Sequence, residues 1–241
     1  MAVMQNNIVF GGVNSADYGI YISGEGVFNS PKRDAELVSV PGRDGDILID
    51  HGRFENINVT YPAFIYKSDL SSFTQNIRNF RNALCSLRGY QRLTDSIITG
   101  EFRLATFVDD FEVKPIEHNT AAKFDITFNC KPQRFLTSGE TSRSYTANSV
   151  TISNPTSFDS KPLITITGTG TANINGVNVN VSASPTTIDC ETMECYNGTT
   201  SRNFATVFSP NRFPTLSPGS NTITKPTSIT RIEITPRWWR I

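Results

Sequence analysis

Three groups of acidic residues lie close enough in the sequence to suggest chemistry. The first is Asp189, Glu191 and Glu194. Glycoside hydrolysis needs two carboxylates across a groove, one to protonate the leaving oxygen and one to attack or to activate water. Asp189 and Glu191 would share one face of a strand, but acids on an exposed sheet are ordinary. The second group, Asp109-Asp110, reads as a solvated turn. The third, Asp44, Asp46 and Asp50, resembles a calcium loop only loosely, because it lacks the 1-3-5 ligand spacing and the bidentate Glu at position twelve.

Nucleophilic catalysis fares no better. An activated Ser, Cys or Thr needs a base in reach. The chain has no G-x-S-x-G, and its two histidines, His51 and His118, sit in polar stretches. A phosphate-binding loop must open a helix. Gly24-Glu25-Gly26 opens none, and the one helix signal begins after Lys67-Ser68. The four cysteines, Cys85, Cys130, Cys190 and Cys195, are scattered. Cys190 and Cys195 are five apart, so in a regular strand they would face opposite sides of the sheet. The expectation is four reduced, mostly buried thiols, no metal, no cofactor and no enzymatic activity.

The elements that would position a site are mostly strands. In 241 residues the hydrophobic share is 37% and the charged share 18%, and the second half is rich in Asn, Thr and Ser. Such residues suit the wet faces and turns of antiparallel sheets. Lys plus Arg and Asp plus Glu are each 22. That balance argues against tight nucleic-acid binding, which draws on a basic excess. The amino terminus, Met1 to Asn7, has no basic stretch followed by an apolar one, so folding in a cytoplasm is expected. No run is long and apolar enough to cross a membrane as a helix.

Short strand-like runs, Asn7 to Phe10 and Tyr18 to Ile22, open the chain. An apolar strand from Ala35 to Val40 enters a polar turn, Ser39 to Asp46, which leaves into Ile47-Leu48-Ile49. Asn56 to Tyr61 alternates as a half-buried strand. Asp69 can cap a helix that Gly89 stops, with Leu70, Phe73, Ile77, Phe80, Leu84 and Leu87 forming one apolar stripe. Between Glu101 and Phe135, Phe102, Leu104, Phe111, Val113, Phe124, Ile126 and Phe128 predict an antiparallel meander under that helix. Thr137 to Ser142 is small and polar, which places a domain boundary there: residues 1–136, then 137–241. The second half has no helix signal. Asn175-Gly176 and Asn197-Gly198 read as two-residue hairpin turns, and the regular alternation describes a β-sandwich. The closing strand runs from Ser228 to Ile241, with one of Trp238 and Trp239 in the core and the other, Trp239, pointing away.

Several local patterns resemble one family. Val40-Pro41-Gly42-Arg43-Asp44-Gly45 is similar to the P-G-R-D-G turn of phage distal tail proteins. Phe128-Asn129-Cys130-Lys131-Pro132-Gln133-Arg134-Phe135 is similar to the K-P-Q-R-[FY] run that closes their first domain. Asn154-Pro155 with Lys161-Pro162-Leu163-Ile164 resembles the start of their second domain. Phe213-Pro214, Leu216, Pro218-Gly219, Asn221, Ile223 and Pro236-Arg237-Trp238-Trp239 resemble its end.

The resemblance implies a protein at the tail tip of long-tailed, non-contractile phages, in the virion, assembled in the bacterial host cytoplasm. It implies a first domain with one helix and a protruding hairpin that forms a homo-hexameric ring, and a galectin-like second sandwich. The ring would join the tail tube protein to tail-tip or baseplate proteins, with tape measure protein, tail-associated lysin or tail fibre among its partners. DNA would pass its lumen without specific binding. The hairpin around Pro41 to Asp50 becomes the expected oligomer contact, with Pro41, Gly42, Arg43, Asp44 and Gly45 as its turn and Arg43 and Asp44 in charge-assisted bonds to the next subunit. Trp239 is a possible partner or glycan contact, since a carbohydrate-binding adhesion module is the alternative reading. No histidine in the second half supplies a galectin's His-Asn-Arg cluster.

Overall fold

The computed structural model describes residues 5–25, 28–116 and 120–241. Gly26 and His118, and the first four residues of the amino terminus, lie outside the described residues. The chain is mainly β with one α-helix and divides into two compact units, the first running to Arg134 and the second from Phe135 to Arg240.

The first unit is a strongly patterned sheet. Its strands run in the order Val13–Asn14, Ile8–Phe10, Gln91–Asp95, Glu101–Thr106, Ala121–Leu136, Ile57–Tyr66 and Ile20–Ile22. Ile57–Tyr66 alternates strictly, burying Ile57, Val59, Tyr61, Ala63 and Ile65. Its partner Ala121–Leu136 does the same with Phe124, Ile126, Phe128 and Cys130, in register Phe128↔Val59 and Ile126↔Tyr61. Both therefore present one apolar face. The helix Leu70–Ser86 covers it with Phe73, Ile77, Phe80 and Leu84, each worth roughly 1.5–3 kcal/mol when fully buried. Asp69 starts the helix by accepting the Ser72 N–H at 2.8 Å, which also lowers its carboxyl pKa. Leu70, expected in the stripe, is instead 52% exposed, because it falls on the flank of the helix.

The meander expected after Glu101 is interrupted. Phe111 and Val113 lie between strands and not on one. Phe111 is buried because its ring stacks on Phe124 at 5.3 Å and meets Phe80 at 6.0 Å. Aromatic bulk, with no ladder behind it, produced the alternation there.

The second unit is two sheets around one core. One has the order Arg143–Tyr145, Ile229–Thr235, Leu163–Gly168, Thr186–Asp189, Glu194–Asn197 and Thr200–Ser201; the other runs Ser149–Asn154, Gly219–Thr224, Gly170–Ile174, Val177–Val181 and Thr206–Ser209. Ile164, Ile166 and Ile188 from the first face Ile174, Val179 and Ile223 of the second within a single buried cluster. Ile174 pairs with Val177, so Asn175 (φ 48°) and Gly176 (φ 84°) make the expected two-residue turn. The other turn is one residue later than expected: Asn197 pairs with Thr200, leaving Gly198-Thr199 as the loop.

Two more expectations change. The polar stretch after Leu136 is ordered, with a short 3-10 turn at Thr137–Gly139. Gly139 is buried, and its carbonyl accepts the Arg237 N–H at 2.8 Å. The closing strand ends at Thr235, because Arg237 takes a left-handed φ of 56°. A Cβ on Gly139 would stand 2.3 Å from the backbone nitrogen of Trp238, which cannot yield as a side-chain tip can. Gly139→Ala is expected to cost about 1–3 kcal/mol and to lower the melting temperature of the second domain in calorimetry, while Ser138→Ala leaves it unchanged.

Candidate assembly interface

The turn at Pro41 caps a separate two-stranded ribbon, Arg33–Val38 paired with Ile47–Phe54, in register Val38↔Ile47, Leu37↔Leu48 and Glu36↔Ile49. At its tip the Val40 carbonyl accepts the Arg43 N–H at 3.2 Å, with Gly42 at φ 81°. Pro41 pre-sets the first corner of such a turn and only glycine takes the second at no steric cost. Every residue from Pro41 to Asp50 is exposed.

The apolar pattern of this ribbon is unusual. Leu37 and Leu48 oppose each other on one face, at 66% and 59% exposure. Val38, Ile47 and Ile49 lie on the other, where Ile47 and Ile49 are 37% and 44% exposed. A lone two-stranded ribbon is marginal in water, and contiguous exposed apolar surface marks an interaction site. Neither aliphatic face is dry within one chain.

Charge holds the other end of the ribbon. Arg33 pairs with Asp50 at 2.7 Å and lies over the Phe54 ring at 4.8 Å. Asp34 accepts from His51 Nδ1 at 2.9 Å and from Arg53 Nε at 2.5 Å. Lys32 meets Glu55 at 3.6 Å. The hydrogen bond from His51, and then that from Arg53, lowers the Asp34 pKa, and Asp34 in turn raises that of His51. The Gly52 N–H, and then Arg33, lowers Asp50. These pairs are solvated and individually worth little. Asp50 is committed to this network and is not a member of a cation loop with Asp44 and Asp46.

Pro41, Gly42, Arg43, Asp44 and Gly45 thus sit together at a projecting tip, and the side chains of Arg43 and Asp44 make no hydrogen bond or ion pair among the described residues. Ile47, Leu48, Ile49 and Asp50 fall within the hairpin expected from sequence, whereas Leu37 opposite Leu48 and the pairing of Asp34 with His51 and Arg53 do not. The signal was available in Ile47-Leu48-Ile49, three consecutive apolar residues that put bulk on both faces of a strand.

The Lys131-Pro132-Gln133-Arg134 run has a structural task in the first unit. Arg134 reaches Glu25 at 2.6 Å and lies 3.9 Å from Glu101, with both acids nearly inaccessible. Arg103 beside them is buried, and desolvation and then Arg134 push its pKa down. Tyr61 donates to Asp95 at 3.3 Å, and its phenol is raised by burial. Lys131 sits 5.1 Å over the Tyr90 ring. The cleft among these groups has a free volume of about 10 Å³, room for a single water.

The second unit gathers its acids differently. Asp189 receives both arms of Arg237, at 2.6 and 3.0 Å. Those bonds, with N–H groups from Glu191 and Thr192, hold its carboxyl below the usual range against the opposing effect of burial. Glu191 is exposed beside Lys161 at 3.9 Å, and Glu194 is exposed. The three acids do not form a catalytic pair. Trp238 is core. Trp239 donates its indole N–H to the Asp159 carbonyl at 2.9 Å and stacks on Phe158 at 4.4 Å.

Cys190 and Cys195 share the same buried core, contrary to the opposite-face expectation. The chain reverses between them, so Cys195 pairs with Ile188 and lies on the face that Cys190 also occupies. Burial raises the Cys130 and Cys190 thiols to about 12. Cys85 is exposed.

Residues 13–130 match the phage tail protein RIFT-related domain family. No sequence among the curated proteins matches the chain. By structure it is similar to the Dit (gp 19.1) protein of phage SPP1, described as a paradigm of the hub adsorption apparatus in phages that infect Gram-positive bacteria. That likeness has 12% identity and a TM-score of 0.74, and it covers 98% of this chain and 99% of that one. Chains of the phage P2 baseplate in its activated conformation align more weakly. The calcium form gives 10% identity and a TM-score of 0.49 over 95% of this chain and 97% of that one; the strontium form gives 11% and 0.49 over 100% and 99%.

Two measurements test the roles given to these charges. Arg134→Ala strands the buried Glu25 and is expected to cost about 3–5 kcal/mol in chemical denaturation of the first domain. For Asp189, a depressed folded pKa gives stability that is present above its unfolded value of about 3.9 and is lost as pH falls through the folded one. Asp189→Asn should therefore lower the second domain's melting temperature at pH 7, with the two proteins converging under acid.

Proposed function

We propose that this chain, whose residues 13–130 match the phage tail protein RIFT-related domain and whose fold is similar to that of SPP1 Dit, is a ring-forming hub of a phage tail tip. Six copies close through their first domains, residues 1–136, and the second domain, 137–241, is a galectin-like sandwich. The tail tube and tape measure proteins lie on one side of the ring, and lysin, fibre or baseplate proteins on the other. The protein is a virion component with no catalytic role.

The observation that carries this reading is the ribbon with aliphatic side chains exposed on both faces. A cyclic ring needs a heterologous contact, one patch on each subunit meeting a different patch on the next. A projecting ribbon supplies the first kind of patch, with Pro41 to Gly45 at its point. Balanced charge supports a lumen that DNA crosses without sticking. The carbohydrate reading gains nothing comparable, since the Trp239 indole N–H and one ring face are engaged within the domain.

The purified chain should show a six-fold mass in light scattering and a ring with a DNA-wide hole in negative-stain microscopy. Leu37→Asp with Leu48→Asp, or Arg43→Ala with Asp44→Ala, should reduce it to smaller species without a change in melting temperature. A monodisperse monomer for the native chain at high concentration would overturn the hub.

A further inference from the structure

A ribbon that leaves its own domain needs a receiving surface, and the distribution of charge in this chain points to one. Along the ribbon the base charges pair internally, but Glu36, Asp44 and Asp46 have no ion-pair partner among the described residues; between Glu36 and Ile49 the sequence holds one Lys or Arg, Arg43, and His51 lies near Glu36 from the base. The outer half of the ribbon is thus acidic as well as aliphatic.

The complementary surface is on the helix. From Leu70 to Thr94 the chain contains no Asp or Glu, while Arg78, Arg81, Arg88 and Arg92 are all exposed. Beside the buried stripe of the helix runs a second stripe at the same spacing: Leu70, Thr74, Arg78, Arg81 and Cys85, every one exposed. Residues three and four apart stack along one flank. Arg81 is steadied over the Phe111 ring at 5.3 Å, which fixes its charge near the surface of the sheet. The flank combines an apolar start at Leu70 with a basic middle. Its length also fits: a helix of this span runs about 25 Å, and the ribbon strands reach about 20–26 Å.

We propose that this arginine flank of the helix receives the ribbon of a neighbouring copy, so that Asp44 and Asp46 of one protomer meet Arg78 and Arg81 of the next. The inference rests on the ring reading and names its second patch. A second copy fits better than a nucleic acid. The formal charge of the chain is zero, so the acids that balance this flank are on the same sequence, and exposed aliphatics on both partners would find nothing to pack against on a phosphate backbone. The contact is charge-assisted at its centre and apolar along its length.

The test is charge reversal read by mass photometry on the full chain. Arg78→Glu with Arg81→Glu should lower the ring fraction at least tenfold, as should Asp44→Arg with Asp46→Arg. All four changes together should restore it. Raising salt to 1 M, where the screening length shrinks to about 3 Å, should loosen the native ring more than the same salt at low protein charge contrast in an Arg78→Gln control. Melting curves check that the variants fold, and Arg78→Glu alone serves if Arg81 proves necessary for packing. Native rings with both reversed variants still assembled, or with no rescue in the fourfold variant, would overturn this contact and leave the hub intact. Loss of binding to a short DNA duplex by the helix variant, with the ring unchanged, would also overturn it, assigning the flank to the genome. A native chain that never forms rings removes the hub and this contact together.

Discussion

A two-stranded ribbon has two faces and no layer of its own to cover either. In this chain the outer ribbon places Leu37 and Leu48 on one side and Val38, Ile47 and Ile49 on the other, so folding of a single copy leaves both sides wet. Burying one such side chain is worth roughly 1.5–3 kcal/mol, and that free energy is available only when another surface arrives. The first unit carries this one exposed element. The strand ladder sets its register, and solvated pairs among Arg33, Asp34, Asp50, His51 and Arg53 line its base while its point stays in solvent.

The domain that carries the ribbon has a continuous buried core. One apolar sheet face is roofed by one helix, and a group of aromatic rings fills the space between them. At one side the Arg134 guanidinium ties Glu25 and lies near Glu101 in surroundings where an unmatched charge would be costly. That gives the Lys-Pro-Gln-Arg run a physical reason independent of family: the arginine is the counter-charge for acids that the sheet has already buried. In the second domain Asp189 plays the equivalent part for Arg237, holding a left-handed residue in place just where the last long strand must stop.

Much of this could be read from residue order. The Asp69 cap, the stripe through Phe73, Ile77, Phe80 and Leu84, and the Asn175-Gly176 turn are local signals, set by backbone hydrogen bonds within a few residues. The misreadings share a different cause. Phe111 and Val113 alternate like a strand, but packing against Phe80 and Phe124 is a long-range fact that periodicity cannot carry. Gly139 looked like linker because its neighbours are polar, and its purpose lies almost a hundred residues away at Trp238. Cys190 and Cys195 were assigned to opposite faces on the assumption of one continuous strand, which the reversal between them removes. For the candidate interface, the turn chemistry at Pro41 to Gly45 was legible. The aliphatic pairs and the ion network that give the turn its reach depend on a register that only the paired strands define.

The cysteines carry a practical corollary. Three are sealed in cores, with the Cys130 and Cys190 thiols raised to about 12, while Cys85 stands in solvent on the helix. Since the thiolate is the reactive form, a maleimide dye or spin label added to the native chain has one natural address, with no engineered cysteine and no deletions. The molecule comes with its own single-site spectroscopic handle, and because Cys85 lies on the flank proposed to receive a neighbouring ribbon, its labelling rate should fall as copies assemble, a direct readout of whether that flank is covered.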